Sequence, residues 1–309
     1  MKYIIISFIF LFFIFCAAGL FVVLYATTRR DRTDLFKPST VAPSARVQFR
    51  NAVEKGVEWF EAQFFEKLTI VSQDGLTLQA ELLSPTSPKA CMIAMHGFRS
   101  WPSREFAAVS KLLYENNIAV LYPYQRAHRL SNGKYITFGV KEKYDCAKWA
   151  FLLSTRFPNL PLFLYGQSMG GATVLMTGSI PMPIQLKGVI ADSAYDSPSD
   201  VMISLFKRTY HVPGYPLILF VDLWTLLLAH YELFRHKASK SMRQDLSYLF
   251  IHGDCDELIP IHMGLNNYIN CPSLRKTLLT VPGAGHCACC YKQQAEYINT
   301  FLRFINENL

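Results

Sequence analysis

Charge is scarce in this chain: 17% of its 309 residues are charged, against 51% hydrophobic. That balance excludes a disordered polypeptide and supplies the apolar mass for a large core. There is no internal repeat and no low-complexity tract. No stripe of Arg and Lys interleaved with aromatics appears, so nucleic acid is not an expected partner. Seven of the eight cysteines lie beyond residue 28, an odd number without the spacing of a small disulfide scaffold. Their usage suits free thiols in a reducing compartment. Charge is missing altogether from Tyr3 to Ala26, where Ile, Phe, Leu and Val dominate.

About 20 apolar residues suffice to cross a bilayer as a helix. A cleaved signal peptide is the competing reading, with Ala26 ending a weak cleavage site and Leu24 at the third position back. Signal cores usually run about 7–15 residues, and this run is longer. The bulky Phe15 before Cys16 argues against a lipoprotein site. The reading adopted is a retained single-pass anchor over residues 1–28. Lys2 lies on one side of it, and Arg29, Arg30, Arg32 and Lys37 lie on the other. That asymmetry leans the rest of the chain toward the cytoplasmic face, although short-tailed anchors often export their C-terminal domain. The net charge is +8, and residues 29–56 hold a local excess of basic over acidic side chains. Anionic lipid would attract that excess; it also fits ordinary topology charge beside a solvated linker.

Residues 29–45, with Pro38, Ser39, Pro43 and Ser44, read as a linker. From 46 to 309 the length fits one α/β domain. Residues 47–64 read as a helix, with Val53, Val57, Trp59, Phe60 and Phe64 on one face. The runs 68–72 and 76–83 flank Gln73-Asp74-Gly75, a hairpin signal. Strand-like runs come next at 91–95, 118–122, 161–165, 186–191, 246–252 and 277–281. Helical runs lie at 104–115, 140–155, 169–178, 261–268 and 292–306. An opening hairpin followed by βα units predicts a mostly parallel central sheet with helices on both faces. The connection at about 193–245 is too long for a simple crossover. Its apolar run 217–229 is too short for a second span and carries Asp222. It reads as a helical cap that either buries against the domain or dips into lipid.

One pentapeptide stands out: Gly166-Gln167-Ser168-Met169-Gly170, directly after an apolar strand and before a small-residue helix start. A serine hydroxyl is a poor nucleophile until geometry and a base activate it. Two glycines around a sharp strand-to-helix turn supply the geometry. The chemistry further needs a base, an acid to orient it, and donors for an oxyanion. His286 lies in a turn-rich loop past the last expected strand. Asp256 lies just past the strand before it. Both positions, like that of Ser168, are carboxyl ends of strands, where open α/β sheets place their sites. The N–H of Phe98, in His96-Gly97-Phe98, and the N–H of Met169 are the candidate oxyanion donors.

Together these residues resemble the α/β-hydrolase superfamily, and in particular bacterial membrane-associated serine esterases and serine aminopeptidase-like hydrolases. The resemblance covers roughly residues 66–306. It rests on Met95-His96-Gly97-Phe98, Gly166–Gly171, His252-Gly253-x-x-Asp256-x-x-Ile259-Pro260 and Gly283-x-Gly285-His286. It implies Ser168 as nucleophile, His286 as base, Asp256 as orienting acid, and Phe98 and Met169 as oxyanion donors. It implies no cofactor and no metal. One loop departs from the pattern: Tyr124 stands where the family has Asp, and Arg129 where it has Gly.

Each choice has a rival. Asp254 and Glu257 compete with Asp256 but suit capping of the next helix. Asp192 comes one strand early and suits a loop-holding role. His96 suits shaping of the oxyanion loop. His128, His211, His230, His236 and His262 read as ordinary loop or surface residues. Cys287, Cys289 and Cys290 beside His286 lack the usual zinc spacing and invite a redox reading. The favoured expectation is a hydrolase of apolar acyl or aryl esters, or of amides, acting through an acyl-enzyme. Its substrate is small or lipid-like, and its one further partner is the membrane. The alternatives are a serine aminopeptidase-like peptidase and a hydrolase-like scaffold that binds lipid or protein without turnover.

Overall fold

The computed structural model describes residues 2–30, 49–209 and 211–309. The expected linker beyond Arg30, with Arg32, Lys37 and the start of the helix expected from residue 47, lies outside them.

Eight strands form one sheet: β1 (Glu66–Val71), β2 (Thr77–Leu83), β3 (Ala90–Met95), β4 (Ile118–Pro123), β5 (Leu162–Gln167), β6 (Leu186–Asp192), β7 (Ser247–Gly253) and β8 (Lys276–Val281). Their spatial order is β1-β2-β4-β3-β5-β6-β7-β8. β1 pairs antiparallel with β2, and β2 with β4. Every later pairing is parallel. The expected hairpin closes through Gly75 at φ 81°, a left-handed conformation that glycine adopts without a Cβ clash.

The described residues also form ten α-helices: α1 (Lys2–Thr27), α2 (Arg50–Glu61), α3 (Pro102–Glu115), α4 (Glu142–Arg156), α5 (Met169–Met176), α6 (Pro198–Thr209), α7 (Leu217–Ala229), α8 (Ile261–Asn270), α9 (Cys289–Lys292) and α10 (Gln294–Asn306). Central strands are buried along their whole length, so they read as continuous apolar runs rather than alternating ones. The alternation survives in which core each residue joins. Cys91, Ile93 and Met95 face one apolar cluster with Trp149 of α4 and Leu175 of α5. Ala90, Met92 and Ala94 face the other, with Phe106 of α3 and Phe301 of α10. Period-two geometry on a two-sided sheet requires this division.

One expectation needs correcting. Phe64 does not join the apolar face of α2: that helix stops at Glu61, and Phe64 is 92% exposed. The long connection between β6 and β7 is helical, with α6 ahead of the apolar α7; α6 was not singled out in the sequence.

Candidate active site

The sharp turn after β5 is enforced by crowding. A Cβ on Gly166 would run into the Gly170 backbone, and one on Gly170 would run into the Met95 carbonyl. Only glycine lets the strand, the first turn of α5 and the loop after β3 pass so close together. Ser168, between them, takes φ 56° and ψ −120°, a strained conformation for a residue with a side chain. Its N–H donates to the Asp192 carbonyl at 2.8 Å, which ties the turn to the neighbouring strand.

The loops after β7 and β8 are laced to each other. Cys255 N–H donates to Ala284 O at 3.1 Å, and Gly283 N–H donates to Asp254 Oδ1 at 2.7 Å. Asp254 therefore holds the histidine loop rather than capping α8. Glu257 is exposed. Asp256 is buried, and its Oδ1 accepts the N–H groups of Leu258 and Ile259 at 2.9 and 2.8 Å. Its Oδ2 lies 2.8 Å from His286 Nδ1, and His286 Nε2 lies 2.9 Å from Ser168 Oγ. The fold thus brings Ser168, His286 and Asp256 into one hydrogen-bonded row from residues up to 118 positions apart.

Electrostatics within the row are strongly coupled. Burial alone would raise the Asp256 carboxyl, but the His286 and His252 imidazoles outweigh it and hold it well below the usual carboxylate range. Burial alone would lower His286, and the Asp256 charge lifts it well above the ordinary histidine value. The His252 ring is buried behind this pair, with Nε2 2.8 Å from Ile259 O and 3.5 Å from Asp256 Oδ2.

Asp192 has the loop-holding role expected of it. It takes Ser193 Oγ–H at 2.9 Å, Tyr297 O–H at 3.1 Å and Gln167 Nε2–H at 3.3 Å. Ser193 Oγ in turn accepts the Cys287 N–H at 3.2 Å, next to His286. Burial pushes Asp192 up to about 6. The three cysteines after His286 are buried, and burial raises each thiol, that of Cys290 to about 12. They sit as protonated core side chains at neutral pH, unsuited to the redox reading.

Across the turn, Gly97 lies against Ser168: a Cβ there would sit 3.3 Å from the serine Cβ. The Phe98 ring stacks on Phe138 with centroids 5.4 Å apart. His96 shapes this loop as expected. It is fully buried, and burial with the neighbouring His128 pushes it down to about 3. The neutral ring donates from Nδ1 to Gly97 O and accepts the Gln125 N–H at Nε2. Of the loop or surface position expected for His128, the structure shows the loop. His128 is buried, and its Nε2 accepts the Arg99 N–H at 2.9 Å, one residue past Phe98. Arg126 was missed. Its guanidinium, 4% exposed, grips Asp145 at 2.7 Å and Asp74 at 2.8 Å. The departures in this loop have a physical basis. Tyr124 O–H donates to Glu81. Arg129 has a left-handed backbone, at φ 41°, and lays its guanidinium 3.7 Å over the Trp101 ring. A lone His or Arg in a loop carries no periodic signal; only the resemblance marked this segment at all.

Residues 86–213 match the family model described as serine aminopeptidase, S33. The uncharacterized protein YqkD of Bacillus subtilis is 24% identical over 66% of this chain and 67% of its own length. The uncharacterized membrane protein YNL320W of Saccharomyces cerevisiae is 25% identical over 72% of this chain and 73% of its own. Among solved structures, the Pyrococcus furiosus esterase Pf2001 superposes with a TM-score of 0.64 at 21% identity, covering 79% of this chain and 91% of that one. With this strand order, the glycine-framed turn after β5 and these similarities, the chain has the α/β-hydrolase fold, and among the described residues one long apolar helix precedes it.

Proposed function

We propose that this protein is a membrane-anchored serine hydrolase that cleaves carboxylic esters through an acyl-enzyme. The supporting observation is the unbroken row Ser168 Oγ, His286 Nε2, His286 Nδ1, Asp256 Oδ2, with contacts of 2.9 and 2.8 Å. In this reading Ser168 Oγ attacks the ester carbonyl while His286 takes the hydroxyl proton. The C–O bond to the alcohol breaks, and His286 returns the proton to the departing alkoxide. Water then attacks the acyl-enzyme by the same route and releases the acid. Asp256 fixes the imidazole tautomer and stabilises the imidazolium. The N–H groups of Phe98 and Met169 receive the oxyanion; one such donor is worth about 2.7–4 kcal/mol in acyl transfer.

An ester is favoured over an amino-terminal peptide bond. An aminopeptidase needs a carboxylate for the substrate ammonium. Asp192, Asp196 and Asp256, at or beyond the ends of β6 and β7, already serve protein N–H and O–H groups. The corresponding domain division is an anchor at 1–28, a linker at 29–45 and a hydrolase unit at 46–309. Within that unit, 193–245 forms the cap.

Fluorophosphonate labelling of the full chain in detergent tests the reading. Labelling is expected in wild type and lost in both Ser168→Ala and His286→Ala. A folded wild type that takes no label would end it.

A further inference from the structure

α1 is long and apolar enough to cross a membrane, yet it does not stand clear of the rest of the chain. Gly19, Val23 and Thr27, spaced four apart, are buried along one stripe. Gly19 meets α7, where a Cβ would sit 2.7 Å from that of Phe220. The Phe220 ring lies 5.4 Å from Phe12 and 5.9 Å from Phe15. Trp224 Nε1–H donates to the Cys16 carbonyl at 2.9 Å. The seam between α1 and α7 is therefore packed, and its indole N–H is satisfied without water.

Depth is set by length. Residues 2–14 are exposed, and of these Phe12 reaches Phe220. At about 1.5 Å per residue they reach about 20 Å, whereas the hydrocarbon core is about 30 Å thick. A docked α1 can span that core only if much of the stretch lying on α7, which begins at Phe12, is inside it too. α7 must then enter the bilayer beside it. Its composition permits this. The outward face is Leu219, Leu223, Leu226 and Leu227, between 41% and 54% exposed. Its one charged residue, Asp222, accepts the Leu233 N–H at 2.6 Å and so is turned toward the domain. At 13 residues, about 20 Å, α7 is too short to cross.

The same apolar cluster runs from Val23 of α1 and Val221 of α7 to Phe98 and Met169 beside Ser168. The last turn of α1 touches the oxyanion loop: the Arg99 guanidinium donates to the Tyr25 carbonyl and lies 4.7 Å over the Phe98 ring. The loop that lies against Ser168 at Gly97 is thus also the loop that holds the end of α1.

We propose that α7 inserts into the leaflet alongside α1, and that the substrate is a carboxylic-ester lipid of that same leaflet, reaching Ser168 from the bilayer side. The substrate half rests on the serine-hydrolase reading above; the insertion half does not. The lipid's ester lies at the headgroup boundary, level with the end of α1.

The test uses the full chain in phosphatidylcholine vesicles with two substrates, a short-chain soluble ester and the vesicle phospholipid. The double variant Leu223→Glu/Leu227→Glu is expected to keep soluble-ester turnover within about twofold and to lose at least tenfold on the phospholipid. Equal turnover of phospholipid by variant and wild type would overturn the proposal. So would a wild type that hydrolyses the soluble ester and leaves the phospholipid intact. A variant inactive on both substrates is replaced by an independent measurement on folded protein. Brominated lipid should quench the tryptophan fluorescence of wild type strongly and that of Trp224→Phe much less; equal quenching overturns insertion. If wild type cleaves neither ester and takes no fluorophosphonate, the hydrolase reading fails together with the lipid substrate. The quenching result then still decides where α7 lies.

Discussion

The carboxyl ends of β5, β7 and β8 and the seam between α1 and α7 are built on opposite principles. At the strand ends, chain direction is dictated by backbone crowding and by hydrogen bonds between adjacent loops. Each contact there is specific, and most hold buried polar groups that cost about 1–3 kcal/mol each when left unpaired. At the seam almost every contact is apolar, and the partners lie about two hundred positions apart. The first region fixes atoms relative to each other; the second fixes a face relative to a solvent. Substitutions at the strand ends should therefore change rates steeply, whereas those at the seam should change where the protein sits and leave the chemistry alone.

The steepest test is Asp256→Asn. Asn cannot hold the His286 tautomer, and an equivalent change in serine proteases lowers kcat about 10⁴-fold. The pH profile separates this from simple misfolding. His286 must be neutral to act as base, and the Asp256 charge raises its pKa above the ordinary value. The ascending limb of kcat/KM in wild type is thus expected above the usual histidine value of about 6.5. With the charge removed, burial dominates, and the limb should move to lower pH while the plateau falls. A residual activity with an unmoved limb would show that His286 is not the titrating base.

Arg126→Met comes next, and it acts on stability. The guanidinium and Asp145 are both buried, so truncating one side leaves an unpaired charge, a loss of about 3–5 kcal/mol. Denaturant unfolding should show it. Because the loop from Tyr124 to Asn132 backs the loop after β3, from which an oxyanion donor is proposed, through His128 and Gln125, the folded fraction should also label more slowly with fluorophosphonate. Unchanged stability would mean that water reaches Asp145.

The contrast between the two regions also explains what was legible in the sequence. All eight strands were readable because short apolar or alternating runs, bounded by turn residues, encode burial locally. Ser168, Asp256 and His286 were readable because each comes after a strand inside a short motif, and the structure does bring them together. His128 and Arg126 were not, because a buried polar side chain is defined by its distant partner and leaves no pattern around itself. α6 was missed because it sits in a connection where no strand spacing sets an expectation. The docking of α1 on α7 was invisible for a related reason. Two helices apolar on every side have no preferred face in sequence, and only a small residue such as Gly19 hints at a close approach.

Gly19 offers the gentlest test and the sharpest one for the comparison. Gly19→Leu places a side chain where even a Cβ would meet Phe220 at 2.7 Å. Overpacking of this kind costs about 1–3 kcal/mol, enough to part α1 from α7 without unfolding a domain whose sheet lies elsewhere. Soluble-ester turnover should stay near wild type, because the row from Ser168 to Asp256 does not touch the seam. Protease sensitivity between α6 and α7 in vesicles should rise as α7 loses its partner. Should soluble-ester turnover fall as steeply as it does in Asp256→Asn, the two regions would not be separable. The contact of Arg99 with Tyr25 would then be the path by which the position of α1 sets the geometry of the oxyanion loop.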